Sequence, residues 1–305
     1  MIRKALLAAI LLAGALLTAT LLISFDSPDL GRDVAERLRS ASGIRLEFSR
    51  ARFGLVRGLV FEDARASAGS YDVQVSRLVL EHRPLALLRG GFETRGIELD
   101  DLRAGRVSVD ALRLSLSRLD YDPRAITALH GVDAEGILRM SRVAVAAGEL
   151  RDLAARLTAA GGRVNFDDLT FATAYGTLSG ELALDFNSLP FRYRVSLPGS
   201  SLQVEGVGRG TLSLEASGFG TKPGGLRGRG VFELARGRLP DAQWVRDLDP
   251  SLAGAEHGPV KVPFEINEER VRIERVEMEA AGRVIEIEGS LGLDGSRDLR
   301  VSSPG

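Results

Sequence analysis

Cysteine is absent from all 305 residues, which excludes disulfides, thiolate metal sites, iron–sulfur clusters and cysteine nucleophiles. Lysine is confined to Lys4, Lys222 and Lys261, so the 40 basic residues are almost all arginine. They face 41 acidic residues, and a chain this close to neutral, with 6% aromatics, lacks the basic, aromatic-studded surface of a nucleic-acid binder. Aromatics are also too few for the paired girdles of an outer-membrane barrel. Histidine is scarce. His82, His130 and His257 lie far apart with no second histidine or carboxylate at metal-ligand spacing, and they read as surface residues. No G-x-S-x-G, H-E-x-x-H or G-x-x-x-x-G-K-[ST] occurs. The acidic pairs Asp100-Asp101 and Asp167-Asp168 resemble loop or bulge residues, because neighbours on a strand point to opposite faces and neither pair alone forms a two-carboxylate site. The expectation is a non-enzymatic protein with no cofactor, no metal and no nucleic-acid partner.

Apolar sequence, by contrast, is plentiful at the start. Residues 5–23, ALLAAILLAGALLTATLLI, carry no charge and only two hydroxyls, Thr18 and Thr20. As a helix at about 1.5 Å per residue the stretch reaches roughly 28 Å, against about 30 Å for a bilayer's hydrocarbon core. A cleaved signal peptide has a shorter apolar core, about 7–15 residues, and a small-x-small site; here the run leads into Ser24-Phe25-Asp26-Ser27-Pro28. Arg3 and Lys4 precede it and nothing basic follows until Arg32. An uncleaved single-pass anchor over 1–24 is predicted, with a cytoplasmic amino terminus and the bulk of the chain outside the cytoplasm.

A juxtamembrane helix is predicted within 25–43, because Leu30, Val34, Leu38 and Ala41 recur at three to four residues and Gly43 follows as a stop. From Ile44 the period becomes two. Leu112, Leu114 and Leu116 alternate with Arg113, Ser115 and Ser117; Phe191, Tyr193, Val195 and Leu197 alternate with Arg192, Arg194 and Ser196; Ile285 and Ile287 with Glu286 and Glu288. Each run has one dry and one wet side, the mark of antiparallel strands buried on one face. Residues 150–157 (LRDLAARL) have helix-favouring residues but a strand's position between β patterns, and a strand is preferred. The glycine-rich stretch GFGTKPGGLRGRG at 218–230 divides a β region at 44–217 from one at 218–305. A short helix at 241–248 with Trp244 inward and a loop at 250–263 precede the last strands.

A pattern of apolar residues, h-x-h-x-x-h-x-h, recurs at Val73/Val75/Leu78/Leu80, Val107/Val109/Leu112/Leu114, Leu138/Met140/Val143/Val145, Val164/Phe166/Leu169/Phe171 and Val271/Ile273/Val276/Met278. The three-residue step would send the second pair to the opposite face of a regular strand. A β-bulge that absorbs one extra residue keeps all four on one face and adds twist. Two strands joined by a tight turn would give the same letters. With bulges, the fold class is mainly β: an amino-terminal transmembrane helix, then a long, twisted, curved antiparallel sheet shaped as a groove, with few short helices.

The layout of a basic start, one span, a short helix ending Ser40-Ala41-Ser42-Gly43, then LVRGLVFEDARAS (55–67) and SRLVLEHRPLALLRGGFETRGIELDD (76–101) resembles the amino-terminal region of the AsmA-like family of bacterial envelope proteins. The Leu-Leu-Gly turn of that family is echoed at 84–90 and its following strand at 93–99. LRGRGVFELARGRL (226–239) and the stretch from Val262 to Ser302 are similar to its carboxy-terminal region. The type II secretion protein N family shares the plan. The AsmA-like resemblance implies an inner-membrane anchor, a periplasmic sheet with an apolar concave face, and a role in lipid transport or outer-membrane homeostasis. An uncovered apolar face would be filled by phospholipid acyl chains at about 0.8 kcal/mol per buried CH2. The lipid-groove candidates are Val73, Val75, Val107, Val109, Leu112, Leu114, Leu138, Met140, Val143, Val145, Val164, Phe166, Leu169, Phe171, Val271, Ile273, Val276 and Met278. The core of a closed sandwich needs the same residue types. The protein N resemblance implies instead a scaffold that contacts other envelope or secretion proteins.

Overall fold

The computed structural model describes residues 24–42, 44–54, 57–68, 71–82, 94–105, 107–121, 130–145, 148–188, 190–204, 208–220, 225–241, 243–292 and 296–302. The predicted anchor and the turn at 84–90 lie outside the described residues. Among the described residues no helix is long and apolar enough to cross a membrane. The fold is mainly antiparallel β with few helices. The chain divides into two compact units, Met1–Glu149 and Leu150–Gly305. The glycine-rich stretch at 218–230 falls inside the second of these, because the strands on either side of it pair directly with each other in unbroken register.

The first unit comprises β1 (Ser24–Asp26), α1 (Pro28–Ser42), β2 (Arg45–Glu47), β3 (Arg50–Gly54), β4 (Gly58–Ala68), β5 (Tyr71–His82), β6 (Thr94–Ala104), β7 (Val107–Tyr121) and β8 (Val132–Val145). β1 pairs with β3, β2 and β3 both pair with β4, and from β4 to β8 each strand pairs with the next in sequence. Helix α1 opens on Pro28, whose missing N–H costs nothing in a first turn, with Asp29 at its positive end and Arg39 at its negative end. It packs Val34 against a buried cluster of Ala51, Leu59, Phe61, Ala64 and Val75. Gly31 permits that approach: a Cβ there would stand 2.6 Å from the Ala51 methyl.

The step of the apolar pattern is crossed by whole rows of strands. In register, Glu62-Asp63 of β4 faces Arg77-Ser76 of β5, these face Asp100-Asp101 of β6, and Ala111-Asp110 of β7 comes next. Asp63 and Asp101 have φ of 49° and 51°, a left-handed conformation that aspartate tolerates better than most residues. The Ser49 hydroxyl donates to the Glu62 carbonyl and the Asp63 carboxylate, and the Ser76 hydroxyl repeats this with Asp100 and Asp101. Because neighbouring strands take the step together, β4 through β7 keep their register across it.

The second unit comprises β9 (Gly148–Ala160), β10 (Arg163–Thr173), β11 (Gly176–Asp185), β12 (Arg192–Val204), β13 (Gly208–Phe219), β14 (Arg227–Leu234), β15 (Gly237–Arg238), α2 (Gln243–Leu248), a 3-10 turn at Pro250–Leu252, β16 (Glu256–His257), β17 (Val260–Asn267), β18 (Arg270–Ala280), β19 (Arg283–Gly292) and β20 (Arg297–Ser302). Strands β9 to β14 and β17 to β20 form one ladder of sequential neighbours, closed by β14 on β17. Here the extra residues do shift register: Asp167-Asp168 in β10 against β11, Pro198-Gly199 in β12 against β13, and Glu274-Arg275 in β18 against β19. The ambiguous stretch 150–157 is strand, held by its β10 partner. The short helix is present as α2, and Val245 is its buried anchor; the side chain of Trp244 lies outside the described residues. The 3-10 turn is capped by Asp249, which accepts from the Ser251 N–H and also pairs with Arg283.

The histidines depart from expectation. His82 and His257 are each 2% exposed, and His130 is half-buried. His82 ends β5 with its ring 5.4 Å from that of Phe53, and His257 sits in β16 between β15 and β18, its Nδ1 2.7 Å from the Gly258 carbonyl. An isolated histidine in a sequence carries no local sign of such burial.

Candidate functional site

Register sorts the side chains of the second unit into two faces. On one, Val164, Phe166, Leu169 and Phe171 of β10 stand opposite Leu184, Leu182, Gly180 and Leu178 of β11. Leu184 and Leu182 oppose Tyr193 and Val195 of β12. Val195 and Leu197 oppose Ala216 and Leu214 of β13, and Leu212 opposes Phe232 of β14. The row continues through Val262 and Phe264 of β17 to Ile273 of β18. The bulges keep this face apolar except at one position: past Pro198-Gly199 the inward position falls on Ser200, whose buried hydroxyl donates to the Ser179 carbonyl and accepts from its N–H.

In each unit a helix covers part of the apolar face, and in the second unit a stretch is left without one. In the second unit, α2 and the 3-10 turn lay Val245 and Leu252 over Val260, Val276, Met278, Ala280 and Ile285. In the first, Val73, Val75, Leu78 and Leu80 pack on one cluster with Val34 of α1. Over β10 to β14, Leu182, Leu184, Tyr193, Val195, Leu212, Leu214 and Phe232 are half-buried, and no helix among the described residues packs on them. The strip is flattened by glycine under aromatic: a Cβ on Gly230 would run into the Phe264 ring.

The predicted groove residues therefore separate into groups. Val73 and Val75 belong to the core with α1, and Val276 and Met278, with Ile273 at the margin, to the core with α2; Val271 is half-buried. On β7 and β8, Val109, Leu138 and Val143 are buried, Leu112, Leu114 and Met140 half-buried, and Val107 is 37% exposed; the side chain of Val145 lies outside the described residues. On β10, Leu169 is buried while Val164, Phe166 and Phe171 are half-buried on the open strip. Three strands with the same step escaped the sequence pattern: Leu59/Phe61/Ala64/Ala66, Ile97/Leu99/Leu102/Ala104 and Val195/Leu197/Ser200/Leu202. Alanine and serine at inward positions hid them, and admitting small residues to the pattern recovers all three.

The opposite face is charged, and many of its basic residues are answered across strands: Arg65 by Asp72 at 2.7 Å, Arg142 by Asp110 at 3.0 Å, Arg156 by Asp168 at 2.6 Å, and Lys261 by Glu233 at 2.9 Å. The Arg65 fork holds the Asp72 carboxyl below the ordinary carboxylate range, and Arg50 does the same for Asp26. Clefts of about 510 and 870 Å³ open on this polar side of the second unit, framed chiefly by its outward side chains. Among the described residues no three His, Asp or Glu side chains gather as a metal-ligand set. No family model matches the chain, nor does any curated protein or solved structure.

Proposed function

We propose that this is a non-enzymatic, inner-membrane-anchored periplasmic protein that binds or conducts lipid acyl chains along the apolar faces of its sheets, in outer-membrane biogenesis. The observation that carries the reading is the open strip of β10 to β14, where Leu182, Leu184, Tyr193, Val195, Leu212, Leu214 and Phe232 remain half-buried with no helix among the described residues packed on them. A contiguous apolar surface of that extent is unfavourable in water and asks for an occupant. Acyl chains suit it chemically: the strip is continuous along several strands, and Ser200, its buried hydroxyl, is already satisfied by Ser179. The charge-free run at 5–23 supports the anchor, and it would hold the strip within reach of a membrane leaflet.

Purified full-length protein, extracted and analysed by mass spectrometry, is expected to carry phospholipid and to take up labelled phospholipid from vesicles. Leu182→Asp with Leu214→Asp, two charges on the open strip, is expected to abolish uptake while leaving the far-ultraviolet circular dichroism of the sheet intact. A protein that is lipid-free as isolated and inert to labelled phospholipid would overturn the reading.

A further inference from the structure

The cleft of about 870 Å³ on the polar side gathers four arginines around a single carboxylate. Two adjacent cross-strand rows build its floor. In the first, Arg163 of β10 faces Asp185 of β11, which faces Arg192 of β12, which faces Phe219 of β13. In the second, Arg194 of β12 and Arg227 of β14 flank Ser217 of β13. Four arginines thus meet one aspartate in a chain whose overall charge is −1. Asp185 is already engaged: it accepts from the Asn187 N–H at 2.9 Å and lies 3.6 Å from Arg163. Arg194 and Arg227 make no ion pair or side-chain hydrogen bond among the described residues.

Strand geometry sets the span. Arg192 and Arg194 project from the same face about 7 Å apart along β12, and Arg194 and Arg227 are about 10 Å apart across two strand spacings. Guanidinium arms from those positions are long enough to reach a common group of a few ångströms' width near Ser217, whose hydroxyl is a neutral donor. Guanidinium forks match oxyanions bidentately. Phe219, 53% exposed, supplies an apolar rim beside them.

We propose that this cleft is a binding site for a phosphate-class oxyanion, held by Arg192, Arg194 and Arg227 on the face opposite the apolar strip. Its position makes it independent of acyl-chain binding. Full-length protein in neutral-detergent micelles, titrated calorimetrically with inorganic pyrophosphate, is expected to bind saturably. Arg194→Gln with Arg227→Gln is expected to weaken binding by about tenfold or more, as loss of charge-assisted hydrogen bonds requires. Ser217→Asp, which sets a carboxylate between two intact arginines, is expected to abolish it. Arg229→Gln, a single charge loss at an arginine paired with Glu215, is expected to leave it unchanged. If the natural source is a lipid headgroup, doping the micelles with phosphatidylglycerol displaces pyrophosphate while phosphatidylcholine does not; if it is a free phosphorylated compound, neither lipid displaces it. Both results support the site. Absence of pyrophosphate binding, or equal weakening by Arg229→Gln, overturns it.

Discussion

Burial of the His82 ring beside Phe53 holds its imidazole below the ordinary histidine value, because the charged form loses its water. The unfolded chain therefore takes up a proton at higher pH than the folded one. The resulting stability is intact above about pH 6.5 and is lost as pH falls from there through the depressed folded value. Denaturant midpoints measured across that window should fall on acidification, and His82→Phe should flatten the slope; an unchanged slope would remove His82 from the account. Asp26 and Asp72 act in a lower window, their ion pairs persisting above about pH 4 and fading below it. Size matters elsewhere. Phe61 is fully buried, and Phe61→Ala should cost about 3–5 kcal/mol, whereas Phe166→Ala on the half-buried strip should cost less and impair lipid uptake instead. Gly230→Val drives a branched side chain into the Phe264 ring and the Ser213 carbonyl, an overpacking cost of about 1–3 kcal/mol readable from thermal melts.

Among the elements, the steps and the helices differ in how they meet the sequence. Alternation exposed the strands, since a period of two with arginine or serine between leucines has no other stable reading in water. Leu30, Val34 and Leu38 exposed α1, now seen as Pro28–Ser42. What alternation alone could not show is which apolar stretches are lidded: Met278 and Phe171 occupy the same place in the same pattern, yet α2 and the 3-10 turn cover the first and leave the second open. Lidding is a contact between distant segments and leaves no local period. The steps themselves were legible as spacing, but whether neighbours step together, as β4 to β7 do, is a property of paired strands. Deleting Asp101 turns a shared step into one strand out of count with two neighbours and removes its bond from Ser76. Hydrogen exchange should then quicken in β5, β6 and β7 together, with β10 to β14 unaffected.

For the molecule as a whole, the predicted anchor and the β units are separable by design of the test. Replacing 1–23 with a cleavable signal should leave the circular dichroism of the β region unchanged and abolish the proposed lipid function; full activity of the released form would show that the predicted anchor is only a tether. The order of pairing also bears on how such a chain acquires its structure. Within each unit most strands bond to the strand made just before them, so the ladder can be laid down in sequence as a chain emerges, without waiting for its far end. The widest exception is β14, whose next partner is β17, across the 25 residues 235–259 that hold β15, α2 and β16. Closing that loop carries the larger entropic cost. A chain halted before Val260 would leave β14 as a raw edge open to pairing with another molecule.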